Sequence, residues 1–120
     1  MKESTKRILE GFCKKEKIDI DYHDYRGFYN EQTVKRGRKA KYCSICGDAI
    51  PVGEPHFVET DCSCSWPMHE TCRNIAIQLF DKYNPKAADG GGIEDFWGTK
   101  KISSRLDELQ EKIAKGDDYE

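Results

Sequence analysis

The stretch that decides the fold is Tyr42-Cys43-Ser44-Ile45-Cys46-Gly47, and its counterpart further along the chain is Trp66-Pro67-Met68-His69-Glu70-Thr71-Cys72. Two cysteines separated by two residues form a tight knuckle, and Gly47 lets the backbone turn back toward the sulfur atoms. His69 and Cys72 lie three residues apart at the predicted start of a helix, so their side chains share one face. Three thiolates and one imidazole are typical of a closed, tetrahedral, structural zinc site. We therefore predict one structural Zn²⁺ bound by Cys43, Cys46, His69 and Cys72.

The order of these features is that of a treble-clef finger: a knuckle, a β-hairpin, and then ligands on the first turn of a helix. The pattern Cys43-x2-Cys46 followed by Trp66-Pro67-Met68-His69-x2-Cys72 resembles the single zinc site of poly(ADP-ribose) polymerase-type zinc fingers. It is also similar to the first zinc site of LIM domains. The turn over residues 50–54 favours the first comparison. The resemblance covers residues 42–80, and it implies a treble-clef-like fold and, for the polymerase-type fingers, binding to DNA breaks.

Cys62 and Cys64 leave the ligand assignment open. As a Cys-x-Cys pair on one face of an extended strand, they can replace His69 and Cys72 and give an all-cysteine site. A mixed set that includes Cys64 is a second alternative, and a second metal held by His56, Cys62 and Cys64 is a third. The simplest interpretation is that both cysteines are small, partly buried strand residues.

The length and composition of the chain predict how many domains it forms and in which cellular compartment it occurs. The chain has 120 residues, of which 35% are charged, and its mean hydropathy is −0.84. The charged share of an average protein is about 25%, so we expect a single domain with a thin core that needs a metal. The longest apolar run is residues 75–77, which is far too short for a membrane span of about 20 residues. Because the first residues also lack a secretory signal pattern, we expect a soluble intracellular protein of the cytoplasm or nucleus.

Local patterns predict the elements before and within the metal region. A helical period predicts an N-terminal helix over residues 4–13, with Cys13 buried as a small hydrophobe. Residues 18–22 alternate between apolar and acidic side chains, which predicts a short strand. Residues 51–53 are typical of a turn, so residues 56–60 are expected to form the return strand of a hairpin.

The second half of the chain is predicted to be mostly helical. An apolar stripe over residues 68–83 predicts a long helix that ends at Asn84-Pro85. A capping box at Ser104 predicts a further helix that ends at Gly116, followed by a loose acidic tail. We thus expect an α+β domain, residues 1–120. It is divided into an N-terminal part (1–41) ending in a basic connector (35–41), a zinc module (42–86), and a linker with a C-terminal helix and acidic tail (87–120).

The charge distribution indicates a nucleic-acid partner. Residues 1–42 carry 12 Lys/Arg and 7 Asp/Glu, whereas residues 43–120 carry 8 and 15. The connector cations lead directly into the knuckle, and cations of this kind bind phosphates. A basic face that continues to Arg73 would strengthen this interpretation. The predicted phosphate contacts are Lys35, Arg36, Arg38, Lys39 and Lys41, and the aromatic residues predicted to stack on bases are Tyr25, Phe28, Tyr29 and Tyr42.

Two other functional classes compete with this one. The acidic remainder and the aromatic residues Trp66, Phe96 and Trp97 favour a protein-protein adaptor or inhibitor, unless these aromatics only pack the tail onto the body. An enzyme is disfavoured, because residues 90–92 lack the ending of a phosphate loop and the metal uses the most reactive side chains. We therefore expect a non-enzymatic, small regulatory module that binds nucleic acid, a nucleoprotein machine or a protein, without a membrane or a small-molecule substrate.

Overall fold

The structure is a computed structural model that describes residues 1–21, 28, 31–61, 64–85 and 92–119. Within these ranges one helix is followed by five short strands and then by three helices. All five strands lie between the first two helices. The elements are α1 (Glu3–Glu16), β1 (Glu31–Val34), β2 (Lys41–Tyr42), β3 (Ala49–Ile50), β4 (His56–Asp61), β5 (Cys64–His69), α2 (Glu70–Tyr83), α3 (Ile93–Gly98) and α4 (Lys100–Lys115).

The strands form two small antiparallel sheets. The first has the order β1-β4-β5, and in it His56 lies opposite His69. The second contains β2 and β3, which pair Lys41 with Ile50 and Tyr42 with Ala49. The predicted strand at residues 56–60 therefore exists, but its hairpin partner is β5. The strand before the 51–53 turn pairs instead with β2, which belongs to the knuckle.

The hydrophobic core is one continuous cluster, to which α2, the other helices and the knuckle all contribute. Ile75, Leu79 and Phe80 of α2 are fully or almost fully buried against side chains of α1, α3 and α4. The knuckle residues Ile45 and Ile50 belong to the same cluster. The α+β class is thus confirmed, and the core is larger than the polar composition predicts because the charged residues occupy the outer faces of the helices.

Several predicted boundaries differ from the structure. Residues 18–21 form an irregular segment with a turn at residues 20–21 rather than a strand. Ile18 and Ile20 pack on the core from this segment, while Tyr22 lies outside the described residues. The second helix begins at Glu70, so Met68 lies in β5. The last helix begins at Lys100 after a Thr99 N-cap, and Ser104 lies inside it, whereas Gly116 ends it as predicted.

The C-terminal tail is packed, contrary to expectation. Asp118 Oδ1 accepts a hydrogen bond from Arg7 Nε at 2.6 Å. The ring of Tyr119 lies 5.8 Å from that of Phe12, and the Tyr119 side chain also covers Gly11 of α1. A cation and an aromatic ring on α1 therefore hold the tail. Among the helices of the described ranges, none has the length and apolar content that a bilayer crossing requires.

Candidate metal centre

The four predicted ligands come together at one point beneath the knuckle. The thiol sulfurs of Cys43, Cys46 and Cys72 and an imidazole nitrogen of His69 all lie within 4.8 Å of one another. All four side chains are buried. A buried cluster of thiols around an imidazole brings together the side-chain groups that bind metals in proteins, so these residues can hold a metal ion.

The knuckle is shaped by backbone hydrogen bonds. The Cys43 N–H donates to the Asp48 carbonyl oxygen at 2.9 Å, and the Gly47 N–H donates to the Cys43 carbonyl oxygen at 2.9 Å. Gly47 has a φ of +83°, a conformation that a residue with a Cβ rarely adopts. The Ser44 N–H donates to the Pro67 carbonyl oxygen at 2.8 Å. These bonds fix both cysteines of the knuckle against β5, the strand that ends at His69.

The orientation of His69 is set by its second ring nitrogen. Its Nε2 lies 3.1 Å from the Ala49 carbonyl oxygen, which can only accept a hydrogen bond. Nε2 therefore carries a proton, and Nδ1 faces the sulfurs of Cys46 and Cys72 at 3.4 and 3.9 Å. A backbone carbonyl that orients a ligating histidine in this way is a common feature of metal sites. The carbonyl of Ala49 has no signature in the sequence, so this contact was not predicted.

The contacts within the buried cluster lower the pKa of one member and raise the pKa of two others. Burial alone would raise the pKa of Cys43, but hydrogen bonds with Cys46, Cys72 and His69 outweigh it and lower that pKa. Burial alone would lower the pKa of His69, yet hydrogen bonds with Cys43 and Cys46 raise it to about 10. Hydrogen bonds with Cys43 and Cys46, followed by burial, raise the pKa of Cys72. A divalent cation replaces the protons of such a cluster when it binds, so binding weakens in acid.

The spacing of the donor atoms fits tetrahedral coordination. With metal–sulfur and metal–nitrogen bonds of about 2.3 and 2.0 Å, neighbouring sulfur and nitrogen ligands lie about 3.5 Å apart. The distances of 3.4 and 3.9 Å from His69 Nδ1 to the sulfurs of Cys46 and Cys72 lie close to this value. The cluster is thus compact enough for one ion bound by all four residues.

Two of the alternative ligands, Cys64 and His56, do not join this cluster. Cys64 is exposed at the start of β5, and Cys62 lies outside the described residues. His56 is buried, with Nδ1 3.0 Å from the Glu54 carbonyl oxygen and Nε2 3.4 Å from Lys41 Nζ. In the part of the chain that the structure describes, the one group of residues with metal-ligand geometry contains neither Cys64 nor His56.

The basic connector lies on the surface and is attached to the knuckle region. Gly37 accepts a hydrogen bond from the Gly53 N–H at 2.8 Å, and it is buried against the His56 ring. The Lys41 ammonium is half-buried beside His56. The other predicted phosphate contacts are exposed and have no hydrogen-bond or ion-pair partner in the described ranges, namely Lys35, Arg36, Arg38 and Lys39.

Three other predicted contact residues are buried and therefore unsuitable. Arg73 does not extend the basic face, because its Nε donates to Glu31 at 2.9 Å and its guanidinium lies over Phe57. Phe28 cannot stack on a base, since it packs against Phe80 in the core. Phe96 is fully buried too, so it tethers the tail to the body and is no docking anchor.

The remaining aromatic candidates fall into three groups: two are half-buried, one is exposed, and two lie outside the described residues. Trp66 and Trp97 are half-buried, with ring centroids 6.3 Å apart. Tyr42 is exposed, whereas Tyr25 and Tyr29 lie outside the described residues.

Comparison with protein-family models, with curated proteins and with solved structures found no significant match to this chain.

Proposed function

We propose that the metal is zinc and that its role is structural. Three thiolates and one imidazole are the donor set that zinc prefers, and four protein ligands complete a tetrahedron without an open position for water or substrate. The burial of all four side chains supports a closed site. The same geometry favours a non-enzymatic protein, because a catalytic zinc retains an exchangeable position.

The local architecture around this site supports a treble-clef-like module. Two ligands come from the β2–β3 knuckle, one from the end of β5, and one from the first turn of α2. Knuckle, hairpin and helix therefore contribute to the site in the expected order. Strand β1 and helices α1, α3 and α4 are additions around that module.

The function that the geometry supports best is nucleic-acid binding through the basic connector. The observation that carries this proposal is the set of four exposed cations, Lys35, Arg36, Arg38 and Lys39, which have no partner within the described residues. Repulsion between neighbouring cations destabilises the free protein, and an anionic partner relieves it. Phosphate groups spaced along a strand supply such a partner.

The connector is a loop that is bonded to the body of the protein rather than a free arm. Its cations are therefore held in a defined arrangement. The Gly53–Gly37 hydrogen bond and the Lys41–His56 contact tie it to the body at two points. A shallow depression of about 320 Å³ is lined by Val34, Gly37, Arg36, Arg38, Lys39 and Lys41, without a carboxylate. A loop that is already ordered loses less conformational entropy on binding.

The test is a salt titration of binding to labelled single-stranded and duplex oligonucleotides, followed by fluorescence anisotropy. The triple variant Arg36→Ala, Arg38→Ala, Lys39→Ala should bind weakly and give a flatter plot of log affinity against log salt. The expected change in slope is about 2.1 on a single strand and about 2.7 on a duplex. The matched control is Lys14→Ala, Lys100→Ala, Lys101→Ala, which removes three exposed helical cations elsewhere.

Metal content and thermal melting of the connector variant should match the wild type, since none of its three residues is buried or a proposed ligand. If the wild-type protein binds neither probe at low salt, the proposal is wrong. Equal losses in the connector variant and in the matched control would also contradict it, because binding would then depend on net charge alone.

A further inference from the structure

One aromatic side chain stands out beside the connector. Tyr42 is 75% exposed, directly after the last connector cation and directly before the ligand Cys43. Its ring and hydroxyl have no hydrogen-bond, ring or cation–π partner within the described part of the chain. Exposing a tyrosine ring to water forfeits the stabilisation that its burial would contribute. A contact with a flat partner would recover it.

The backbone of Tyr42 is held firmly even though its side chain is free. The residue pairs with Ala49 in the β2–β3 ladder, and the next residue donates its N–H to the Asp48 carbonyl oxygen at 2.9 Å. Metal coordination by Cys43 would fix the position further. Tyr42 is therefore a rigid platform with two χ angles to order, which keeps the entropic cost of a stacking contact low.

The turn that is bonded to the connector offers a second apolar contact. Val52 is 63% exposed, and the following residue, Gly53, donates the hydrogen bond to Gly37. Tyr42 thus follows the connector directly in the sequence, and Val52 lies in the turn that is hydrogen-bonded to the connector. In the described ranges they and Met1 are the large hydrophobic side chains with the greatest exposure.

We propose that the connector surface, defined as Lys35, Arg36, Arg38, Lys39 and Tyr42, binds single-stranded nucleic acid, with Tyr42 stacking on an unpaired base. This inference rests on the proposed function, and it specifies the class of nucleic acid. Cations along a loop bind the phosphates, while an exposed aromatic ring binds the face of a base. Tyr42 follows the connector cations directly in the sequence, so a single strand that follows the connector can reach both.

A duplex fits this surface less well for two reasons. Its bases are stacked on one another, so their faces are closed to a tyrosine ring away from the ends. Its phosphates lie on a wide cylinder, so binding would bring further phosphates toward a body that carries 15 Asp/Glu and 8 Lys/Arg in residues 43–120. A single strand can follow the short basic loop alone.

The experiment compares three probes of equal phosphate number: an oligo-dT strand of about 16 nucleotides, an abasic strand, and a hairpin-closed duplex. Full-length, metal-loaded protein is titrated by fluorescence anisotropy as wild type, Tyr42→Ala and Tyr42→Phe. The wild type should bind oligo-dT more tightly than either other probe. Loss of one stacked base should weaken oligo-dT binding by about 5- to 150-fold in Tyr42→Ala.

The abasic strand isolates the stacking contact, because it keeps the phosphates and removes the base. Tyr42→Ala should bind the abasic strand like the wild type and should no longer distinguish it from oligo-dT. Tyr42→Phe should retain oligo-dT binding, and the salt slope should be the same in all three proteins, since no phosphate contact changes.

The results separate the two proposals. Connector-dependent binding with equal or greater affinity for the duplex overturns the single-strand inference and leaves the proposed function intact. An unchanged oligo-dT affinity in Tyr42→Ala also overturns it. Absence of connector-dependent binding to all three probes overturns the proposed function itself, and the single-strand inference with it.

Discussion

The two ends of this molecule reach order by different means. The metal end, defined as β2, β3, His69 and Cys72, consists of two-residue strands around a knuckle and holds four polar ligands at its centre. The helical end, defined as α1, α3 and α4 packed on α2, is filled by fully buried apolar side chains. Strands this short cannot form a stable sheet alone, so we expect metal coordination at this end to add to the apolar burial that both ends share.

The helix α2 joins the two ends. Cys72 lies in its first turn beneath the knuckle, and Ile75, Leu79 and Phe80 follow in the shared core. We therefore expect a change at the candidate metal site to reach the apolar core through α2, and also through Gln110 of α4, whose Nε2 donates to the carbonyl oxygens of Ser44 and Ile45 at 3.2 and 3.0 Å. On the proposal that the site holds zinc, the metal end depends on the ion directly, and the helical end depends on it through these two links.

Removal of the metal should have the largest effect on stability. Structural zinc in small finger peptides contributes about 10–16 kcal/mol, which is as large as the whole stability of an ordinary domain. We therefore expect Cys46→Ser, or a chelator, to unfold residues 42–83, including α2. Circular dichroism and hydrogen exchange would measure this loss, with metal content determined in parallel.

The matched control for this prediction is Cys64→Ser, because Cys64 is exposed and outside the cluster. It should keep a stoichiometry near one metal per chain and an unchanged melting temperature. Full helix content and cooperative melting after verified metal removal would show that the helical end is independent, and the comparison would fail.

Truncation of the helical core should have the second largest effect. Phe96 is fully buried, with its ring 5.4 Å from that of Phe28 and 5.8 Å from that of Phe80. Phe96→Ala should destabilise the protein by about 3–5 kcal/mol in chemical denaturation. The folded fraction should still bind one metal, since Phe96 is not one of the four candidate ligands.

Val52→Ala serves as the control for Phe96→Ala, because an exposed side chain usually contributes less than about 0.5 kcal/mol. Stability equal to that of the wild type in Phe96→Ala, together with loss of a protein partner, would instead favour the docking function.

The metal end was the more predictable of the two from sequence. The spacing Cys43-x2-Cys46 and His69-x2-Cys72 is local, and each half constrains its own ligands before the chain folds. Gly47 at a positive φ carries a similar local signal. By contrast, the choice of β5 rather than β3 as the partner of β4 depends on pairing between distant segments, which periodicity does not report.

Contacts between distant segments show why the rest could not be predicted. The strand β1 has the sequence Glu31-Gln32-Thr33-Val34, with one apolar residue, and its position is fixed by pairing with β4 and by the Glu31–Arg73 ion pair. The tail is ordered by Arg7 and Phe12, which lie more than a hundred residues earlier. Contacts of this kind join residues that are far apart in the sequence, and the local sequence pattern around either residue does not indicate its partner.

Alkaline pH should reveal a smaller effect at the helical end. Burial, and then the charges of Asp19, Glu10 and Asp21, raise the pKa of Cys13 from 9.0 to about 12. Above pH 9 the unfolded chain loses this proton while the folded chain retains it, so stability falls as the pH rises from 9 toward 12. The expected loss is about 1.4 kcal/mol for each pH unit.

The matched variant is Cys13→Ala, which removes the thiol and leaves the other alkaline groups in place. The difference between the unfolding free energies of wild type and variant should be constant below pH 9 and should decrease above it. A difference that does not change up to pH 11 would mean that Cys13 titrates alike in both states.

The smallest expected effect compares two glycines, one at each end. Gly47 in the knuckle has a φ of +83°, and Gly116 after α4 has a φ of +73°. A Cβ added at either position would meet no atom within 4 Å, so the cost of Ala is conformational alone, about 1–2 kcal/mol. Gly47→Ala should in addition weaken metal affinity in a competition titration with a chelator, because the Gly47 N–H bond to Cys43 shapes the ligand knuckle. Gly116→Ala should lower stability by a similar amount without changing metal affinity. If both variants weaken metal binding equally, the two ends are coupled more tightly than α2 and the Gln110 contacts with the knuckle explain.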